Sequence, residues 1–296
     1  MYRAHKMAKW CSKHMKDSEI FPICIPSYNR PEATLLKNLY TQNRYSVILF
    51  IRKEQYNLYK KYGDRFIIVK LKNVHDGGST KAAIIRYCWK KGIDNIFLID
   101  DDIRLLDFLE PAPTKNGKMV MRVHSTNTGR PYNVNAYALK MWVKLIQERK
   151  YEVALSAPGL KSDWWNIRNK NSAYVYNCGC CIQCIHVNTK QLKDNKINFR
   201  ANSEVGVDDY ALQFECMEKG LKTIVFRDLV YDCPSIGSNS GGCKNDEEVN
   251  EKYKTLNSRF VRVVLKGKSH KGVGFKTTKS GWESLKFKWN YWKMEE

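Results

Sequence analysis

The sequence predicts an α/β fold: a mostly parallel open sheet with helices on both faces, followed by a second subdomain. Two observations carry the sheet. From Phe21 onward, short continuous apolar runs alternate with helical stretches, and fully apolar strands mark a parallel sheet covered on both faces. Helix punctuation also falls between those runs, with Gly92 placed as a C-cap. At 296 residues, 43% hydrophobic and 12% aromatic, the chain can bury a large core, which excludes wholesale disorder.

Met1 to Lys16 carries Arg3, Lys6, Lys9, Lys13 and Lys16 and no acid, and reads as a basic extension, helical at best. Ile23 to Pro26 is a first strand, running into Ser27-Tyr28-Asn29-Arg30-Pro31. A helix follows to Asn43, then a strand at Ser46–Ile51, a polar helix at Glu54–Tyr62 and a strand at Phe66–Leu71. Gly77-Gly78-Ser79-Thr80 opens a helix to Lys91, and Ile96–Ile99 is a fourth strand. Past Pro111 the alternation stops, in a long loop with a hairpin at Lys118–Val123. An amphipathic helix spans Ala136–Arg149, with strands at Glu152–Ala157 and Lys222–Val230 and a helix at Asp209–Lys219 closed by Gly220.

Fifty-one Lys and Arg against thirty Asp and Glu give a net charge of +21. That excess points to a polyanionic partner, nucleic acid before an anionic membrane. No apolar run approaches the ~18 residues of a membrane span, and the opening residues lack the apolar stretch of a secretory signal. The ten cysteines therefore read as reduced thiols of a cytoplasmic protein.

Asp100-Asp101-Asp102 stands at the carboxyl end of the fourth strand. In extended geometry Asp100 and Asp102 share a face and Asp101 points away. Adjacent carboxylates repel and call for a cation, and strand ends of open α/β sheets line the ligand crevice. Mg²⁺ or Mn²⁺, taking further ligands from phosphate and water, suits such a pair. The plainer alternative is a solvated turn with Asp102 capping a helix from Ile103. Ser79 and Lys81 at a helix N-terminus offer backbone N–H groups and a cation to a phosphate; Arg86, one to two turns on, could reach it as well. The competing account there is a loop with Ser79 as N-cap. Glu204-Val-Gly-Val-Asp208-Asp209 opens a helix, where its acids could simply cap. Cys178-Gly-Cys-Cys181-x-x-Cys184 reads as small buried strand cysteines, with zinc as the alternative, completed by Cys216, Cys233, Cys243 or His186.

The strand-loop Pro22–Pro31, the Ser79–Gly92 helix and Phe97-Leu-Ile-Asp-Asp-Asp102, in that order, resemble a GT-A nucleotide-sugar glycosyltransferase. More narrowly, residues 21 to about 245 resemble the TET-associated glycosyltransferases. That resemblance implies transfer of a sugar from a nucleotide-sugar, UDP-linked by expectation, to a hydroxymethylated pyrimidine of phage DNA flipped out of its duplex. It implies Mn²⁺ or Mg²⁺ on Asp102, with Asp100 near the ribose or a metal-bound water. Pro26, Ser27, Tyr28, Asn29, Arg30, Asp100 and Asp101 fall on the nucleotide side, and Gly179 in the small-residue loop beneath the donor sugar. Asp209 falls on the acceptor base, with Asp208 supporting it. A C-terminal histidine that often completes the metal site has no counterpart after Tyr231; Asp232, a serine or His270 could stand in.

The expected organisation is a basic extension at 1–20, a nucleotide-sugar half at 21–110, an acceptor half at 111–245 and a basic aromatic segment at 246–296. The last holds twelve Lys and Arg against four acids after residue 250, interleaved with Trp282, Phe287, Trp289, Tyr291 and Trp292. Lys276, Lys279, Lys286 and Lys288 there are candidate phosphate contacts, and Trp164-Trp165 a candidate base platform. The rival readings are a GT-A enzyme acting on a glycan, lipid carrier or protein, and an inactive nucleic-acid-binding module.

Overall fold

A computed structural model describes residues 3–117, 119–124, 133–150, 152–161, 174–176, 181, 183–197, 208–234, 273–277 and 283–287. Helix α1 (Arg3–His14) precedes β1 (Ile23–Ser27), α2 (Thr34–Gln42) and β2 (Val47–Arg52). The polar helix expected at Glu54–Tyr62 is instead a chain of short turns, Lys53–Gln55, α3 (Tyr56–Tyr59) and Lys60–Tyr62. Gln55, Tyr59 and Tyr62, at i, i+4 and i+7, are the residues this segment buries. Next come β3 (Ile67–Leu71), α4 (Gly77–Lys91) and β4 (Asn95–Ile99). The region after Asp102 holds no helix; β5 (Leu105–Pro113) runs through the start of the expected loop and pairs with β6 (Met119–Val123) as a hairpin. Then follow α5 (Ala136–Gln147), β7 (Val153–Leu160), β8 (Tyr174–Tyr176), β9 (Cys184–Asn188), α6 (Thr189–Asp194), α7 (Asp208–Glu218) and β10 (Lys222–Asp232).

The main sheet has the order β3-β2-β1-β4-β9-β7-β10-β5-β6, with β8 pairing β10. Its first four strands are parallel, β9 runs antiparallel between β4 and β7, and β7 is again parallel to β10. The apolar runs work because alternate residues enter opposite cores. Ile23, Ile25, Phe97 and Ile99 face one cluster, covered by Leu35, Leu36 and Leu39 of α2 and Leu139, Trp142 and Val143 of α5. Cys24, Leu98, Ile48 and Phe50 face the other, covered by Ile84, Ile85 and Cys88 of α4 and Leu212 and Cys216 of α7. Helix α1 belongs to the first layer, with Ala8, Cys11 and Met15 buried against α5 and β5. The basic extension is thus anchored rather than loose.

Caps set the helix boundaries. Asn135 caps α5 by accepting from the Tyr137 N–H, and its own amide donates to the buried Asp107 at 2.8 Å. Gly92 ends α4 in the left-handed conformation (φ 65°), where a Cβ would be strained. Within the tail, β11 (Val273–Thr277) pairs antiparallel with β12 (Glu283–Phe287). Lys276 lies on the first strand and Lys286 on the second; Lys279, Lys288, Trp164, Trp165 and Gly179 lie outside the described residues.

His186, a candidate zinc ligand by sequence, is fully buried in a polar chain. The Trp142 indole donates to the Ser156 hydroxyl (2.9 Å), Ser156 stands 3.3 Å from Nδ1, and Nε2 lies 3.0 Å from Asn95 Oδ1. Burial pushes its pKa down from 6.5 to about 3. The unfolded chain takes up this proton below pH 6.5 and the folded one does not. His186 therefore contributes stability that is present above pH 6.5 and lost as pH falls towards 3, by roughly 1.4 kcal/mol per pH unit. Urea titrations of His186→Gln should show a flatter decline between pH 6.5 and 4 than the native protein; an unchanged slope would mean that His186 does not stay neutral.

Candidate active site

The strand order turns back at β1, whose neighbours are β2 on one side and β4 on the other. The carboxyl ends of β1 and β4 therefore open a crevice between two diverging loops. Ser27 to Arg30 leaves β1 there, and Asp100 to Asp102 leaves β4.

The two loops are tied by charge. Arg30 spans Asp101 at 2.6 Å and Asp102 at 3.1 Å. Asp101 is fully buried and also accepts from the Ser27 hydroxyl, which lies 2.8 Å from the Tyr59 hydroxyl. Its burial outweighs Arg30 and lifts its pKa to about 6. Asp100 and Asp102 keep 23% and 22% of their side chains exposed. The alternation expected from sequence thus survives, although the backbone is a turn closed by the Ile103 N–H donating to the Asp100 carbonyl. Buried as it is, Asp101 reaches the crevice only through Arg30 and Ser27.

Asn29 takes a left-handed backbone (φ 53°), which asparagine tolerates well. Gln55 holds it twice, accepting from its N–H (3.2 Å) and donating to its side-chain oxygen (2.6 Å). Tyr59 accepts the Arg30 N–H at 2.9 Å. Pro26 lies on β1 and is half-buried. Tyr28 is 37% exposed, with the Arg52 guanidinium 4.0 Å from its ring centroid, so it offers a flat surface at the crevice rim.

From the other face of the sheet comes Lys81, on the second turn of α4. It is buried, 2.7 Å from Asp209 Oδ1 and 3.4 Å from Asp100 Oδ1. Asp209, at the start of α7, also accepts the Gln183 N–H at 2.8 Å on Oδ2. Lys81 therefore joins the β4 turn to the acid pair at 208–209, the two acid groups that sequence reading keeps apart. The Asp208 backbone begins α7 beside it.

Ser79 and Arg86 are placed otherwise than a phosphate site requires. The N-cap of α4 is Asp76, not Ser79; its carboxylate accepts the Ser79 N–H at 2.7 Å, and the Ser79 hydroxyl turns back to the His75 and Asp76 backbone. The anion at this helix N-terminus is thus the protein's own. Arg86 is exposed, about 140° around the helix from Lys81, and is not brought to the acids.

Gln183 is the residue that the sequence did not announce. Its backbone is left-handed (φ 58°), its N–H reaches Asp209, and its carbonyl accepts the Asp100 N–H at 2.8 Å. Its side-chain oxygen accepts from the Cys233 thiol at 3.0 Å. Glycine or asparagine would have advertised such a backbone; glutamine does not. Cys181 and Cys184 sit in different core clusters. Burial pushes the Cys233 thiol up to about 12 and raises the Cys184 thiol well above its ordinary value, so neither is a thiolate near neutrality. Cys178, Cys180 and Cys243 lie outside the described residues, as does His270. Asp232, the other stand-in for the missing histidine, ends β10 with Lys161 at 3.3 Å.

Two part-exposed carboxylates at a strand end fit a hard divalent ion that takes its other ligands from phosphate and water. Among the described residues no three His, Cys, Asp or Glu side chains converge as a closed metal cage.

The family model for TET-associated glycosyltransferases matches residues 21–242. The chain belongs to that family. It is accordingly a glycosyltransferase of GT-A fold, and the matched region takes in every acid just described. A search of curated proteins gives no sequence match for this TET-associated glycosyltransferase. Among solved structures, it is similar to mannose-1-phosphate geranyltransferase from Thermus thermophilus, with 10% identity and a TM-score of 0.39 over 81% of this chain and 78% of that one. It is also similar to GalNAc-T7, solved with UDP, GalNAc and Mn²⁺, with 11% identity and a TM-score of 0.41; the match covers 82% of this chain and 48% of that one.

Replacing Lys81 of this glycosyltransferase by Met strips Asp209 and Asp100 of their shared cation. Breaking a buried pair from one side costs roughly 3–5 kcal/mol. Urea unfolding of Lys81→Met should show a loss of that order, partly restored in Lys81→Arg. A loss under about 1 kcal/mol would rank the contact with exposed salt bridges.

Proposed function

We propose that the protein transfers a sugar from a UDP-sugar to the hydroxyl of a 5-hydroxymethylpyrimidine in DNA, as a phage enzyme in the host cytoplasm. The observation that carries the reading is the Asp100–Lys81–Asp209 bridge, which sets the donor-side turn and an acceptor-side acid pair around one crevice. The family supports glycosyl transfer, and the net charge of +21 supports a polyanionic acceptor. Among the described residues no helix is long and apolar enough to cross a membrane.

On the donor side, Tyr28 stacks against the base, Asn29 and Arg30 meet the ribose and diphosphate, and Asp102 with Asp100 holds Mn²⁺ or Mg²⁺. A bound divalent ion supplies positive charge to the departing nucleoside diphosphate. Arg30, already on Asp102, adds a fixed cation beside it. On the acceptor side a carboxylate must take the proton of a primary alcohol. Lys81 and the Gln183 N–H hold Asp209 in place through one lone pair on each of its oxygens, so Asp209 takes the proton, with Asp208 supporting it. A base buried in a duplex cannot reach such a crevice and is taken flipped out.

The deciding experiment incubates the protein with labelled UDP-sugars and either hydroxymethylated or unmodified DNA, followed by nucleoside mass spectrometry. Label on the hydroxymethylated base alone is expected; label on a glycan, lipid or protein instead would overturn the acceptor assignment. Asp102→Asn should abolish transfer and weaken donor binding, and full donor affinity with Mn²⁺ present would remove Asp102 from the metal site. Asp209→Asn should keep donor affinity and lower turnover by ~10²–10⁴. Undiminished turnover would move the proton to Asp208 or Glu204.

A further inference from the structure

Helix α1 precedes the region matched by the family, which begins at residue 21. Ala8, Cys11 and Met15 turn one side of it into the core. Lys6, Lys9, Trp10 and Lys13 fall at i, i+3, i+4 and i+7 and share the opposite side, where all four are exposed. Trp10 is 44% exposed; the Lys144 ammonium of α5 lies 4.7 Å from its ring centroid and the His14 ring 4.9 Å.

Among the described residues this charge has no local counter-charge bound to it. The helix contains no acid. Asp17, just beyond it, is taken by Lys140 at 2.7 Å, and Glu148, the carboxylate near Cys11, ends the helix that carries Lys140 and Lys144. Among the described residues no ion pair engages Lys6, Lys9 or Lys13. Like charges three and four residues apart destabilise a helix by roughly 0.2–0.5 kcal/mol per pair, a cost that a polyanion would reverse. Lys6 and Lys13 stand about 10 Å apart along the axis, about three steps of a DNA strand at 3.4 Å each. An anionic membrane fits less well, because an interfacial helix inserts its apolar side, and here that side is already buried against α5 and β5.

We propose that Lys6, Lys9, Trp10 and Lys13, with Lys144, form a docking surface for the DNA backbone, distinct from the C-terminal hairpin. The inference rests on DNA being the polymer that carries the acceptor. Trp10 gives the surface an aromatic plate for an unstacked base, and the lysines give it phosphate contacts.

The test is duplex binding by fluorescence anisotropy across a salt series, without donor, using the full chain and Lys6→Gln/Lys9→Gln/Lys13→Gln. All three positions are exposed, and circular dichroism verifies folding. Donor hydrolysis without DNA should be unchanged. Each phosphate contact contributes roughly 0.9 to the slope of log K against log salt. The triple variant should therefore bind more weakly at low salt, with the slope shallower by up to about 2.7. Combining it with Gln at Lys276, Lys279, Lys286 and Lys288 should lower the slope further. A folded triple variant with native affinity and slope would overturn the surface while leaving DNA as acceptor intact. A native protein that binds no DNA but glycosylates another acceptor would overturn the acceptor reading itself. Loss of binding to phosphatidylserine vesicles, with DNA binding kept, would overturn the assignment in favour of a membrane.

Discussion

One buried ammonium group holds the site together. Asp100 belongs to the turn after β4 and Asp209 to the start of α7, more than a hundred residues later, and Lys81 of α4 meets both. Without a cation between them, two carboxylates at the mouth of an apolar sheet would repel and draw in water. With it they form a fixed base for the crevice. Lys81 itself is held in place because α4 packs Ile84, Ile85 and Cys88 into the core one turn further on. Hydrophobic burial thus sets the position and charge sets the register between the two halves.

Around that centre the polar groups divide their work by depth. Asp101, wholly buried, fixes Arg30 and Ser27, while Asp100 and Asp102, partly exposed, face the crevice. Three consecutive identical residues thereby take two different environments. The turn after β4, closed by the Ile103 N–H on the Asp100 carbonyl, produces the difference by directing the middle carboxylate inward. Tyr59 and Gln55 support the facing loop, with a hydroxyl on the Arg30 N–H and an amide on the Asn29 backbone and side chain.

What was legible in the sequence depended on how local the cause was. The four parallel strands were readable because each is a continuous apolar run, and Gly92 marked the end of α4 because it needs a left-handed backbone. The acid run at 100–102 was legible for the same reason, lying next to a strand. Lys81 stands out for its place near a helix start, but its partner lies 128 residues away, beyond any spacing rule. The N-cap passed from Ser79 to Asp76 because the two glycines fit inside the first turn. Gln55 and Tyr59 lay inside a stretch legible only as a polar helix, since nothing in Glu54–Tyr62 says which hydroxyl will meet the loop after β1. Gln183 left no trace at all, because its work is done by backbone groups that every residue possesses.

The antiparallel strand β9 has a consequence for how this chain is made. It completes the outer edge of β4, pairing Ile99 with Cys184 and Asn95 with Asn188, yet it is synthesised about ninety residues later. At a translation rate of roughly 5–20 residues per second, that interval lasts about 5–20 s. Throughout it the first half of the chain presents an apolar strand with unpaired amides and carbonyls, the kind of edge on which chains aggregate. Lys90-Lys91 and Arg104 flank that strand in sequence, and charge beside an open edge disfavours such pairing.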